Sequence, residues 1–121
     1  MTHDQELVYR SRLMPQIYLA IWKFEIKPES RAQFEEVYGP DGAWARLFRQ
    51  SPDYLGTKLS RDLTRPRRYL TLDYWTSREA FHEFKRAHAA EYETLDRQCE
   101  NLTEREVMVG EFEEDPGMPE G

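Results

Sequence analysis

The stretch YLTLDYWTSREAFHEFKRAHAAEY, Tyr69–Tyr92, begins as a β-strand and continues as an amphipathic helix. Apolar and polar residues alternate up to Trp75, the period of a strand with two distinct faces. Thr76 followed by Glu79 is the capping-box signature of a helix start. From Phe81, at ~100° per residue, Phe84, His88, Tyr92, Leu95, Cys99 and Leu102 all fall within roughly 60° of one line, which predicts one long helix with a continuous buried stripe.

Working outward, Ile17–Ile26 (IYLAIWKFEI) is rich in β-branched and aromatic residues with apolar side chains on both faces at its start, as a central strand requires. Pro28 suits a first helical turn, and Phe34, Val37 and Tyr38 follow at helical spacing until Gly39 ends the run. A second short helix, DGAWARLFRQS, carries Trp44, Leu47 and Phe48 on one side. YLGTKLSRDL (54–63) and RYLTLDYW (68–75) read as a hairpin. With Leu63 opposite Arg68, Leu59 meets Leu72 and Lys58 meets Asp73. That register gives an apolar face of Leu55, Leu59, Leu70, Leu72 and Tyr74, and a mixed face ending in Trp75 turned away from the helices. The final strand is REVMVGEF (105–112). The order βαββαβ predicts an α+β, ferredoxin-like fold: a four-stranded antiparallel sheet with helices on one face. Its other face is left bare, and pairing with a second copy, a homodimer, is the economical cover.

The 121-residue chain is long enough for one domain. We expect a flexible arm over residues 1–15, the domain over 16–113, and a disordered acidic tail over 114–121. A formal charge of −6 offers no basic stripe for nucleic acid. With Cys99 alone, no intrachain disulfide or thiolate-pair metal site can form. No apolar run is long enough for a membrane span, and the N-terminus lacks a signal-peptide core, so the expected setting is the cytoplasm, with no membrane partner.

The element order together with IKPESRAQFEEVYG, SPDYLGTKLSRD and RYLTLDYWTSREAFHEF resembles the antibiotic biosynthesis monooxygenase family of dimeric α+β barrels, over about residues 17–113. The junction Trp75-Thr76-Ser77 is its most specific piece. The resemblance implies a homodimer with a pocket in each subunit between helices and sheet. It also implies cofactor-free oxidation of planar aromatic, quinol- or polyketide-like substrates, or in one branch haem degradation. The haem-degrading branch is disfavoured: the first strand has no asparagine, Phe84 stands where the helical tryptophan would be, and Thr94 falls near the haem-ligand position. The asparagine of the quinol-oxidising branch has no match either, since Asn101, the only asparagine, closes the last helix.

No cofactor and no metal are therefore expected. The candidate site is a helix-side pocket bordered by Trp22, Trp44, Phe48, Phe84, His88 and Tyr92. His88 is the candidate catalytic residue, as a pocket-lining acid or base, with a hydrogen-bonded core histidine as its plainer reading. The aromatics would sandwich a small flat ligand, and each can equally be core packing. Two function classes follow: a cofactor-independent monooxygenase, and a non-catalytic ligand-binding or accessory homodimeric barrel.

Overall fold

The computed structural model describes residues 17–115. The elements are β1 (Ile17–Ile26), α1 (Arg31–Tyr38), α2 (Ala43–Phe48), β2 (Tyr54–Arg61), β3 (Arg68–Trp75), α3 (Arg78–Ala87), α4 (Ala89–Cys99) and β4 (Thr103–Glu114). One-turn 3₁₀ segments precede α1 and follow α4. The strands form one antiparallel sheet in the order β2-β3-β1-β4. This is the α+β, ferredoxin-like arrangement, with β1 in the interior of the sheet and all helices on one face. The expected arm and most of the expected tail lie outside the described residues, while β4 runs through Glu114, where Glu114 pairs with Ile17.

The core lies between sheet and helices. Tyr18, Ala20, Phe24 and Ile26 of β1 meet Phe34 and Tyr38 of α1, Phe48 of α2, and Phe81 and Phe84 of α3. Trp75 is fully buried at its centre, with ring centroids 5.4 Å from Phe48 and 5.3 Å from Phe81. The placement of Trp75 and Asp73 on the uncovered face is therefore corrected. Tyr69, Thr71, Asp73 and Trp75 point to the helices, and Leu70, Leu72 and Tyr74 point away.

The hairpin register is corrected by one residue. Thr57 stands opposite Asp73, Lys58 opposite Leu72 and Leu59 opposite Thr71. The cause is at the turn end of β2. Asp62 Oδ1 accepts from the backbone of Thr64 and Arg65 and from the Thr64 hydroxyl, which draws Asp62 out of the strand into a wider loop. Near the start, a bulge leaves Leu55 without a partner between Tyr54 and Gly56, and Gly56 sits at φ 142°, which side chains rarely tolerate. Lys58 consequently lies on the bare face with its ammonium 5.3 Å from the Tyr74 ring centroid.

Two helix details also differ from expectation. The N-cap of α3 is Ser77, whose hydroxyl accepts from the Ala80 amide at 3.1 Å, while Thr76 donates to Asp53 at 3.0 Å. The predicted single long helix breaks at His88 (φ −117°, ψ 30°), although the amides of His88 and Tyr92 still reach the carbonyls of Phe84 and His88.

Candidate active site

A cleft opens between the helices and the sheet. Its floor is Trp22 and Phe24 of β1, Thr57 of β2, Thr71 and Asp73 of β3, and Glu106 of β4. Its roof is Tyr38 of α1, Trp44 and Phe48 of α2, and Tyr92 of α4. Sharp turns hold the roof. At Gly42, between α1 and α2, a Cβ would come within 2.2 Å of the Val37 carbonyl oxygen, so only glycine lets α2 pack there and present Trp44. Trp44 then meets Tyr92 edge-on at 4.9 Å and Phe48 at 5.9 Å. The free interior is small, about 30 Å³, enough for a few water molecules at roughly 10–15 Å³ each.

The sharpest chemical feature is Asp73, 9% exposed on the cleft floor. Thr57 donates to its Oδ1 at 2.7 Å, and the Thr57 hydroxyl is in turn 2.5 Å from the Tyr54 hydroxyl. No ion pair reaches Asp73 among the described residues. Burial disfavours the carboxylate and pushes its pKa up to about 6, against the opposing pull of the Thr57 hydrogen bond. Desolvation, and then Asp96 nearby, likewise raises Glu106 at the β4 side. Burial and the carboxylates Asp96, Asp73 and Glu106 hold the Tyr92 hydroxyl firmly protonated. Tyr38 is kept protonated chiefly by burial.

Of the six residues expected to border the pocket, four line it together: Trp22, Trp44, Phe48 and Tyr92. Phe84 lies behind that wall, buried against Trp75 and Phe48 at 5.4 and 5.6 Å. His88 is outside the cleft. Its ring stacks on Phe84 at 4.4 Å, and Nδ1 faces Glu91 Oε1 at 3.2 Å, with 27% of the side chain exposed. Tyr92, one turn further on, reaches the cleft in its place. Asp73 went unrecognised because it was assigned to the opposite face. The available signal was bulk: its own alternation set contains Trp75, the largest side chain of β3, together with Tyr69.

A second polar cluster joins α3 to β4. Glu111 Oε2 accepts from Tyr18 at 2.6 Å, Arg78 Nε at 3.1 Å, and lies 3.1 Å from His82 Nε2. The Tyr18 hydrogen bond first, with His82 and Arg78, lowers the Glu111 pKa to about 2. This exposed clamp fastens the sheet edge to α3. Among the described residues no group of three or more His, Cys, Asp or Glu is placed to hold a metal ion, and no helix is long and apolar enough to cross a membrane.

The sequence pattern of antibiotic biosynthesis monooxygenases matches residues 17–92, spanning β1 through the first turn of α4. The chain belongs to the antibiotic biosynthesis monooxygenase family. Its fold is similar to that of SnoaB, a cofactor-independent oxygenase from Streptomyces nogalater, with TM-score 0.67, 20% identity, and coverage of 87% of this chain and 99% of that one. It is also similar to an antibiotic biosynthesis monooxygenase-type protein of Bordetella bronchiseptica (TM-score 0.65, 19% identity, 85% and 99% covered). One from Nitrosomonas europaea gives TM-score 0.59 at 17% identity, with 87% and 94% covered. At these identities the likeness is one of fold. No curated protein matches the chain in sequence.

Proposed function

We propose that this family member is a cofactor-independent monooxygenase acting on a small planar aromatic substrate of the hydroquinone or anthrone type, with Asp73 rather than His88 as its base. The observation that carries the reading is a buried carboxylate with a raised pKa on an aromatic-walled floor. A base poised near neutrality in an apolar site suits abstraction of a weakly acidic proton. Asp73 takes the proton from the ring hydroxyl or benzylic carbon. The resulting anion gives one electron to oxygen, the radical and superoxide combine at carbon, and protonation yields a hydroperoxide. Loss of water leaves a carbonyl, so one oxygen atom stays in the product and no external reductant is consumed. The aromatic walls hold the ring and exclude water. Entry requires Tyr92 and Trp44 to part, because the resting interior is smaller than a ring.

We further propose that the active form is a homodimer joined through the bare sheet faces. Leu70, Leu72 and Tyr74 lie there half-exposed, with Val107 42% and Phe112 44% exposed on β4, an apolar patch of the kind that pairs, with Lys23 between Leu70 and Val107. The small interior supports a second reading, a non-catalytic accessory barrel whose aromatic cluster is core.

Oxygen uptake over a panel of hydroquinones and anthrones tests the enzyme reading. The wild-type protein is expected to consume oxygen with a rate rising as pH increases through about 6, where Asp73 ionises. Asp73→Asn should lower turnover ~10²-fold or more, the effect of losing a general base, while His88→Gln changes it by less than about threefold. No uptake and no binding across the panel, or an Asp73→Asn protein as active as wild type, would sink it.

A further inference from the structure

The cleft lining contains two carboxylates, Asp73 and Glu106, and no lysine, arginine or histidine. Asp96 on α4 extends the same field, since all three carboxylates bear on the Tyr92 hydroxyl. Asp73 is nine-tenths buried and receives a hydrogen bond on Oδ1 alone; no donor among the described residues reaches its other oxygen. Lys85 lies against the rings of Tyr92 and Phe81, 5.0 and 5.5 Å from their centroids, and is not part of the lining. The remaining wall is largely electron-rich ring: Trp22, Trp44, Tyr38 and Tyr92.

Rings and uncompensated carboxylates together attract cations, and their partial desolvation strengthens the attraction. An anionic group entering here would meet like charge. The donor set is too sparse and too spread for a metal ion, since no group of three carboxylates or imidazoles converges among the described residues. The two lining carboxylates are also set apart. Asp73 stands beside Ala20 on one side of β1, and Glu106 beside Phe24 on the other. Four residues along a strand is roughly 13 Å. The lining therefore has two acidic ends with an aromatic middle.

We propose that the cleft selects a substrate carrying a positively charged amine, protonated or quaternary, on an arm beside its oxidisable ring. This rests on the cleft being the substrate site. The amine sits at the Glu106 end against Trp22 and Tyr92, and the ring reaches Asp73, which stays free to take the ring proton. Neutral quinols are accepted more weakly, and anionic arms are refused.

Three phenols carrying an arm of similar length test this: 2-(3-hydroxyphenyl)ethyl-trimethylammonium, its neutral isostere 3-(3,3-dimethylbutyl)phenol, and the anionic 3-(3-hydroxyphenyl)propanoate. Each is titrated at fixed ionic strength, reading tryptophan fluorescence and heat of binding. The cation is expected to bind about 10-fold more tightly than the neutral isostere, the range of a ring–cation contact beside a carboxylate, and the propanoate not to bind. Glu106→Gln should weaken the cation and leave the neutral phenol unchanged, with the near-ultraviolet circular dichroism reporting an intact core. Equal or tighter binding of the neutral phenol, or indifference of the cation to Glu106→Gln, would overturn the inference. If neutral hydroquinones are oxidised in an Asp73-dependent way while the cation does not bind, the amine preference falls and the oxygenase reading stands. Tight, Glu106-dependent binding of the cation by a protein that oxidises nothing supports the preference and removes the oxygenase.

Discussion

Replacing Asp73 with Asn tests the physics of the site without any substrate. In the folded chain the carboxyl titrates at about 6 instead of its ordinary 3.8. The folded state therefore holds its proton more tightly than the unfolded state, and stability declines as pH rises between the two values. The gap of roughly two units, at 1.36 kcal/mol each, costs the wild-type protein about 3 kcal/mol once the group is fully ionised at pH 8. At pH 4.5 the same linkage costs only about 1 kcal/mol. Asparagine keeps the shape and an oxygen to accept from Thr57, and has no charge to bury. Its intrinsic fit adds a constant at every pH, so the diagnostic quantity is the change with pH. Relative to wild type, the variant should gain about 2 kcal/mol between pH 4.5 and pH 8. Urea unfolding at a series of pH values and one fixed protein concentration measures this, fixed because a dimer's stability depends on concentration. A stability difference that stays flat across the range, or that moves against the variant as pH rises, would refute the burial of an unpaired charge at this position.

Ser77→Ala removes the side-chain cap of α3 and should cost about 1 kcal/mol in unfolding free energy. Thr76→Ala would instead remove the side-chain bond to Asp53 and leave the cap in place, so the two variants should differ in the helical signal of α3 by hydrogen exchange. Sedimentation of the wild-type chain at micromolar concentration should give twice the chain mass. Leu72→Glu on the bare face should return it to a monomer, and a dimer that survives this change would place the interface elsewhere.

The architecture was readable because its signals are local. β1 is apolar on both faces and lies between two strands; Pro28 and Gly39 bracket the first helical segment, and the strand-to-helix passage at Trp75 stands where the sequence puts it. The register was not readable in the same way. Matching Leu59 to Leu72 assumes that the strands pair up to Leu63, but Asp62 leaves the strand to organise a wider loop. Alternation separates β3 into two sets without saying which set meets the helices. Choosing the leucine set for the core sent Asp73 to the wrong side, and the aspartate then looked like half of a surface ion pair. Four of the six aromatics that line the cleft, Trp22, Trp44, Phe48 and Tyr92, were legible because each lies on the inward face that the period of its own strand or helix marks. The helical stripe puts His88 and Tyr92 on one side without saying which of them reaches the cleft, and neither proline nor glycine announces the break at His88.

The unpaired Leu55 has a meaning for how such a protein changes over time. Tyr54 and Thr57 are three positions apart, an odd number, and in an unbroken strand they would look in opposite directions. The extra residue resets the phase, so both hydroxyls turn inward and the relay Tyr54, Thr57, Asp73 can close. A deletion of one residue here would act like a slipped tooth in a gear. The sequence would read almost the same, the sheet would still assemble, and the link from Tyr54 through Thr57 to the buried acid would be cut. Length at this point of the chain, together with the glycine at 56, keeps that link intact.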